Sequence, residues 1–218
     1  MVYVFIHGLG QSSSSWDNVI SYLPRHYRAT CPDLVRMVNH KDVTYNNLYN
    51  SFVKYCEDMD EPLHLCGLSL GGILALNYVV DFPDKVKSLV LIGAQYEMPK
   101  LLLKFQNSIF RFMPKSAFGK MGFKKEHFIQ LTNSMVDLNF SKDLIDISCD
   151  TLIVCGEKDH ANRNASKNLL ELIPKSKIQF ITNASHEINV QEPKKLAEIL
   201  EVFYENSRIY ISNRSIND

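Results

Sequence analysis

Short apolar runs alternate along most of the chain with stretches whose apolar residues recur every three or four positions. That alternation is the pattern of a mostly parallel α/β sheet. VYVFI at 2–6 is almost wholly β-branched or aromatic and predicts a first strand, which HGLG breaks. Behind a run of serines that offer N-caps, Trp16, Val19, Ile20 and Leu23 predict a helix. YRATCPDL holds a short second strand ending near Pro32, and Leu48, Phe52, Tyr55 and Met59 share one helical face over 44–59. LHLCG (63–67), SLVLIGA (88–94), TLIVCGE (151–157) and IQFIT (178–182) predict strands three to six. LGGILALNYVVDF reads as a helix stopped by Pro83. A last helix starts at Pro193, a favourable first helical position, and is expected to run to about Tyr204.

Residues 96–147 interrupt the alternation. Leu101, Leu102, Phe105, Ile109, Phe112 and Met113 give an amphipathic helix, and the stretch is too long for a plain loop. It predicts a small helical cap at 96–147, inserted into an α/β core made of 1–95 and 148–206, with a polar tail at 207–218. The cap carries Lys100, Lys104, Arg111, Lys115, Lys120, Lys124, Lys125 and Lys142. Such a bias suits a solvated helix face, or attraction for an acidic substrate.

At 218 residues the length fits one domain with a core of useful size. Lys plus Arg equals Asp plus Glu at 24 each, which argues against the basic footprint of a nucleic-acid binder. Cys31, Cys56, Cys66, Cys149 and Cys155 show no CxxC spacing and read as small core residues of a reducing compartment. No basic stretch precedes VYVFI and no apolar run reaches ~18 residues, so a cytoplasmic location without a membrane span is expected. No metal-ligand spacing and no GxGxxG appears; no cofactor and no metal are expected.

The chemistry concentrates at the ends of the predicted strands. Gly67-Leu68-Ser69-Leu70-Gly71 follows a strand and opens a helix, the context of a nucleophile elbow. The sharp turn lifts the serine oxygen clear of the sheet, and the helix amino terminus favours negative charge beside it. A serine hydroxyl needs a base within hydrogen-bond reach, itself oriented by a carboxylate. Open α/β sheets put such groups at the carboxyl ends of their strands. Asp159 follows the fifth predicted strand and His186 the sixth, giving the order Ser69, Asp159, His186.

On these motifs the chain resembles the α/β-hydrolase fold family of serine hydrolases, from Val2 to about Tyr204. HGLG, PDL at 32–34, GLSLGG, GEKD at 156–159 and SHEINVQEP at 185–193 carry the resemblance. It implies Ser69 as nucleophile, His186 as general base and acid, and Asp159 as the orienting carboxylate. It further implies an oxyanion hole formed by the N–H groups of Leu9 and Leu70. The departures are a start close to the HG turn, a loop DLVRMVNHKDVTY without glycine, and His160-Ala161-Asn162-Arg163 where relatives often have an apolar residue and proline. Glu157 competes with Asp159 as the acid. His160 is expected at the surface, His7 in a turn-stabilising hydrogen bond, and Asp33 as an acceptor for backbone N–H groups.

The implied activity is cofactor-free hydrolysis of a small-molecule carboxylic ester or thioester through an acyl-enzyme on Ser69, with Phe105 and Phe112 of the cap as candidates for the acyl pocket. C–C bond hydrolysis or a lyase reaction on an anionic metabolite is the enzymatic alternative. A ligand-binding relative without turnover is the other.

Overall fold

The computed structural model describes residues 1–38, 42–98, 100 and 124–214. Six strands form one parallel sheet in the order β2-β1-β3-β4-β5-β6. They are β1 (Val2–Ile6), β2 (Arg28–Thr30), β3 (Leu63–Leu68), β4 (Val86–Ile92), β5 (Asp150–Gly156) and β6 (Ser176–Ile181). After β1 the chain goes outward to β2, then returns across β1 to lay down β3 and march to β6. The reversal between β1 and β3 opens a crevice at their carboxyl ends, where HGLG and GLSLGG stand.

Strand pleating divides the core in two. Val4, Ile6, Leu65, Leu89, Leu91 and Ile153 face one side and pack with Leu48 and Phe52 of α3 (Tyr45–Glu57) and Leu74 of α4 (Leu70–Asp81). Tyr3, Phe5, Cys66, Val90, Ile92 and Val154 face the other. There they meet Val19 of α1 (Asp17–Tyr22) and Leu196, Leu200 and Tyr204 of the last helix. Strands covered on both faces carry near-continuous apolar runs, which is why they were recognisable. β6, at the edge, alternates half-buried with exposed positions.

Several boundaries differ from the sequence expectation. The serine run forms a short 3-10 turn at Ser13–Trp16 before α1. Three helices were not among the expected elements: α2 (Leu34–Met37), α6 (Arg163–Leu172) and α7 (Ile188–Gln191). α6 carries Ala165, Leu169 and Leu172 at helical spacing, and it buries Ala165, Ser166 and Leu169. The last helix, α8 (Pro193–Arg214), passes the expected end near Tyr204 and enters the segment expected as a polar tail. No glycine or proline follows Pro193 to stop it.

Within 96–147, α5 (Lys125–Ser134) buries Phe128 and Leu131 in the same core as α3, and the Tyr45 N–H donates to Ser134 Oγ at 2.8 Å. Phe105 and Phe112 lie outside the described residues. No helix among the described residues is long and apolar enough to cross a membrane.

α4 meets β1 at Gly71. A β-carbon there would stand 2.2 Å from the Ile6 carbonyl oxygen. Because that neighbour is backbone, Gly71→Ala is expected to destabilise the fold by roughly 1–3 kcal/mol, the usual range for overpacking. Equilibrium urea unfolding reads this, and an unchanged midpoint would contradict so close an approach.

Candidate active site

Ser69 stands where β3 turns into α4, half-buried, with φ 52° and ψ −114°. A positive φ on a residue with a β-carbon is strained and persists only where its surroundings enforce it. Here the Ser69 N–H donates to the Ile92 carbonyl at 2.8 Å, and its own carbonyl accepts from Ile73 N–H at 3.0 Å. Leu70 begins α4, where the first backbone N–H groups lack intrahelical partners. The Gly71 contact with β1 brings the HGLG turn, and with it half-buried Leu9, against this elbow.

Asp159 lies in the turn after β5 and is 5% exposed. Its Oδ2 is 2.7 Å from Nδ1 of His186, which follows β6 beyond a turn with Asn183 at φ 65°. Asn162 Nδ2 donates to both carboxylate oxygens at 2.9 Å and stands 3.1 Å from His186 Nδ1. Gln95 Nε2 in turn donates to Asn162 Oδ1 at 2.8 Å. Burial pushes the Asp159 carboxyl upward, yet His186 beside it, with the Asn162 donors, holds it below its ordinary value. Asp159 therefore carries its negative charge toward the imidazole, and Nδ1 of His186 holds the proton between them.

Gly93 joins the two halves. It has φ 53°, and a β-carbon there would stand 3.0 Å from His186 Nδ1 and 3.1 Å from Asp159 Oδ2. The end of β4 thus receives the Ser69 N–H on Ile92 and accommodates the Asp159–His186 pair against Gly93. Glu157 and His160 are exposed. Among the described residues no cluster of three or more His, Cys, Asp or Glu side chains is suited to a metal ion. A groove of about 1250 Å³ opens at the opposite end of the sheet, lined by Val86, Asp150, Lys175 and Phe203 among others, and includes none of these side chains.

His7 supports the turn from below. Its Nε2 accepts the Leu34 N–H at 3.1 Å, which leaves the proton on Nδ1 to be donated to the Gly8 carbonyl at 2.9 Å. Burial lowers its pKa, partly offset by that carbonyl and by the charge of Asp33. Asp33 itself accepts from the Val35 and Arg36 N–H groups at the start of α2.

Sequence reasoning missed the amides. Asn162 was legible only as a departure from a family pattern, and Gln95, Gln11 and Asn189 gave no signal. An Asn at the first turn of a helix, three residues after the candidate acid, was the one available clue.

A parallel sheet with a strained serine between strand and helix, and an Asp–His pair beyond the ends of β5 and β6, defines a class: α/β proteins built like serine hydrolases. Residues 3–199 match the Alpha/beta hydrolase family, and the chain belongs to it. It is 25% identical to the pimeloyl-(acyl-carrier protein) methyl ester esterase of Aeromonas hydrophila, over 92% of this chain and 94% of that protein. It is 21% identical to the monoacylglycerol lipase ABHD6 of Mus musculus, over 92% of this chain and 74% of the other. The solved structure of MenH from S. aureus superposes with a TM-score of 0.76 at 18% identity, covering 95% of this chain and 94% of that one, a likeness of fold.

The lowered pKa of His7 has a consequence for stability. A histidine whose folded-state value lies below its unfolded value of 6.5 stabilises the fold above that pH and loses this contribution as pH falls through it. The melting temperature is expected to drop between pH 7.5 and 5.5, and less steeply in His7→Gln. Parallel slopes would show that His7 is not the group responsible.

Proposed function

We propose that the protein is a serine hydrolase that cleaves a small carboxylic ester or thioester through an acyl-enzyme on Ser69. The class, an ester-hydrolysing enzyme, rests on the family and on the esterase and lipase among its relatives. The observation that carries the assignment of residues is the 2.7 Å contact between Asp159 and His186, packed against the strand end that also receives the Ser69 N–H.

In the first half-reaction the Ser69 oxygen attacks the substrate carbonyl carbon while His186 Nε2 takes its proton. The carbonyl π-bond becomes an oxyanion, held by the N–H groups of Leu9 and Leu70. Preorganised donors of this kind are worth ~3 kcal/mol each in transition-state stabilisation. The intermediate collapses, the bond to the alcohol or thiol breaks, and His186 returns its proton to that leaving group. Water then attacks the acyl-enzyme, giving its proton to His186, and the second collapse releases the acid and restores the Ser69 hydroxyl. Asp159 holds the imidazole with its proton on Nδ1 throughout and stabilises the imidazolium that forms. Asn162 keeps the carboxylate aimed.

Intact mass after treatment with a fluorophosphonate tests the nucleophile. The wild type is expected to gain one phosphonyl group and Ser69→Ala none. A well-folded wild type that stays unlabelled would favour a ligand-binding protein without turnover. For labelled enzyme, a p-nitrophenyl ester series of increasing chain length sizes the acyl pocket.

Two variants separate the supporting roles. Asp159→Asn is expected to fold and to lose about 10⁴-fold in kcat, because the amide favours the wrong histidine tautomer. Asn162→Ala is expected to lose about tenfold, the equivalent of one hydrogen bond to a charged group. Full activity in Asp159→Asn together with an inactive Glu157→Gln would move the acid to Glu157.

A further inference from the structure

Behind the candidate site lie two buried amides that the reaction scheme does not use. Gln11 closes the HGLG turn and is 8% exposed; Asn189 lies in α7, three residues beyond His186, and is fully buried. Gln11 Nε2 donates to Asn189 Oδ1 and Asn189 Nδ2 donates to Gln11 Oε1, both at 3.1 Å. The remaining amide hydrogens and a second acceptor site on Gln11 are also used. Gln11 Oε1 accepts the Gly8 N–H at 3.3 Å, Gln11 Nε2 donates to Glu187 Oε1 at 3.3 Å, and Asn189 Nδ2 donates to the Ser15 carbonyl at 3.2 Å. A fully satisfied buried network of this kind specifies one arrangement of the segments it joins.

What it specifies follows from the planarity of the peptide bond. The Gly8 carbonyl and the Leu9 N–H belong to one trans peptide unit and point in opposite directions. The Gln11 N–H, at 3.2 Å, and the His7 ring, at 2.9 Å, both donate to the Gly8 oxygen. Gly10, at φ 87°, takes the third position of the four-residue turn that the first of these bonds closes. In such a turn the N–H of the second residue, Leu9, is directed outward. The Gln11 side chain holds the preceding peptide through the Gly8 N–H. At its other end that side chain grips α7, which also secures the histidine turn: Ser185 N–H donates to Gln191 Oε1 at 2.8 Å, and Ile188 N–H to the His186 carbonyl at 3.0 Å.

We propose that Gln11 and Asn189 are positioning residues, a buried amide bridge that sets the direction of the Leu9 N–H relative to His186 and so couples the oxyanion donor to the base. The proposal rests on the assignment of Ser69, His186 and Leu9 made above. A displaced donor weakens binding of the tetrahedral state while leaving the ground-state complex largely intact, so its loss appears in kcat.

Gln11→Met and Asn189→Leu keep nearly the same volume and remove the bridge. With kcat expressed per site titrated by fluorophosphonate, each is expected to lose tenfold or more, with KM within threefold of wild type. Affinity for a trifluoromethyl ketone, whose adduct with the serine carries an oxyanion, is expected to weaken by the same factor as kcat. The double variant is expected to lose no more than the worse single one, since the two amides act as a unit. Asn189→Ala, which leaves Gln11 bonded to Gly8 and Glu187, takes their place if the apolar variants do not fold, with the same expectation. Lower melting temperatures with kcat per titrated site and ketone affinity within threefold of wild type would overturn the proposal alone. A wild type that neither labels nor turns over esters would overturn it together with the assignment beneath it.

Discussion

A carboxylate with 5% of its surface exposed is costly to keep charged unless its oxygens are hydrogen-bonded, and Asp159 meets that requirement with Asn162 and His186. Neighbouring elements are arranged around this one buried charge. β5 ends early enough to place it in a turn, and α6 begins with Asn162 in reach of both oxygens. β6 hands over to a turn that delivers His186, and Gly93 follows β4 at positive φ where a β-carbon would crowd both His186 and Asp159. Ser69 joins the same locus through its N–H on Ile92, one residue before that glycine.

The sheet order explains why these groups meet although they are far apart in the chain. The reversal between β1 and β3 leaves their carboxyl ends free of a covering connection, and the parallel strands bring the later loops to the same edge. Two separate apolar layers, one on each face, hold the strands in register. The loops can then change without disturbing the sheet. A relative named as a methyl ester esterase and another named as a monoacylglycerol lipase share the family at 25% and 21% identity, as expected where chemistry is carried by loops on a common frame.

Polar side chains with no part in bond making do much of the organising. Gln95 and Asn162 stand behind Asp159, Gln11 and Asn189 behind the HGLG turn, and His7, its pKa lowered by burial, behind the Gly8 carbonyl. The N–H groups of all four amides find acceptors, so the supporting layer is hydrogen-bonded and not apolar. Stability alone would be served as well by hydrophobic side chains of the same size. What hydrogen bonds add is direction, and direction matters most beside groups that must point at a reacting atom.

The sequence by itself determined the six strands, because burial on both faces demands near-continuous apolar runs, and the strand-to-helix turn at Ser69, because close packing there requires Gly67 and Gly71 nearby in the chain. The order Ser69, Asp159, His186 was legible for the same local reason: each follows its own strand. Only the tertiary structure separated Asp159 from Glu157, two residues apart: one is buried against His186 and the other is exposed. Only it revealed the continuation of α8 to Arg214. The bridge between Gln11 and Asn189 spans 178 positions. Amide side chains are common in loops, and nothing in their local pattern tells which will be buried together; that depends on where the sheet brings its two ends.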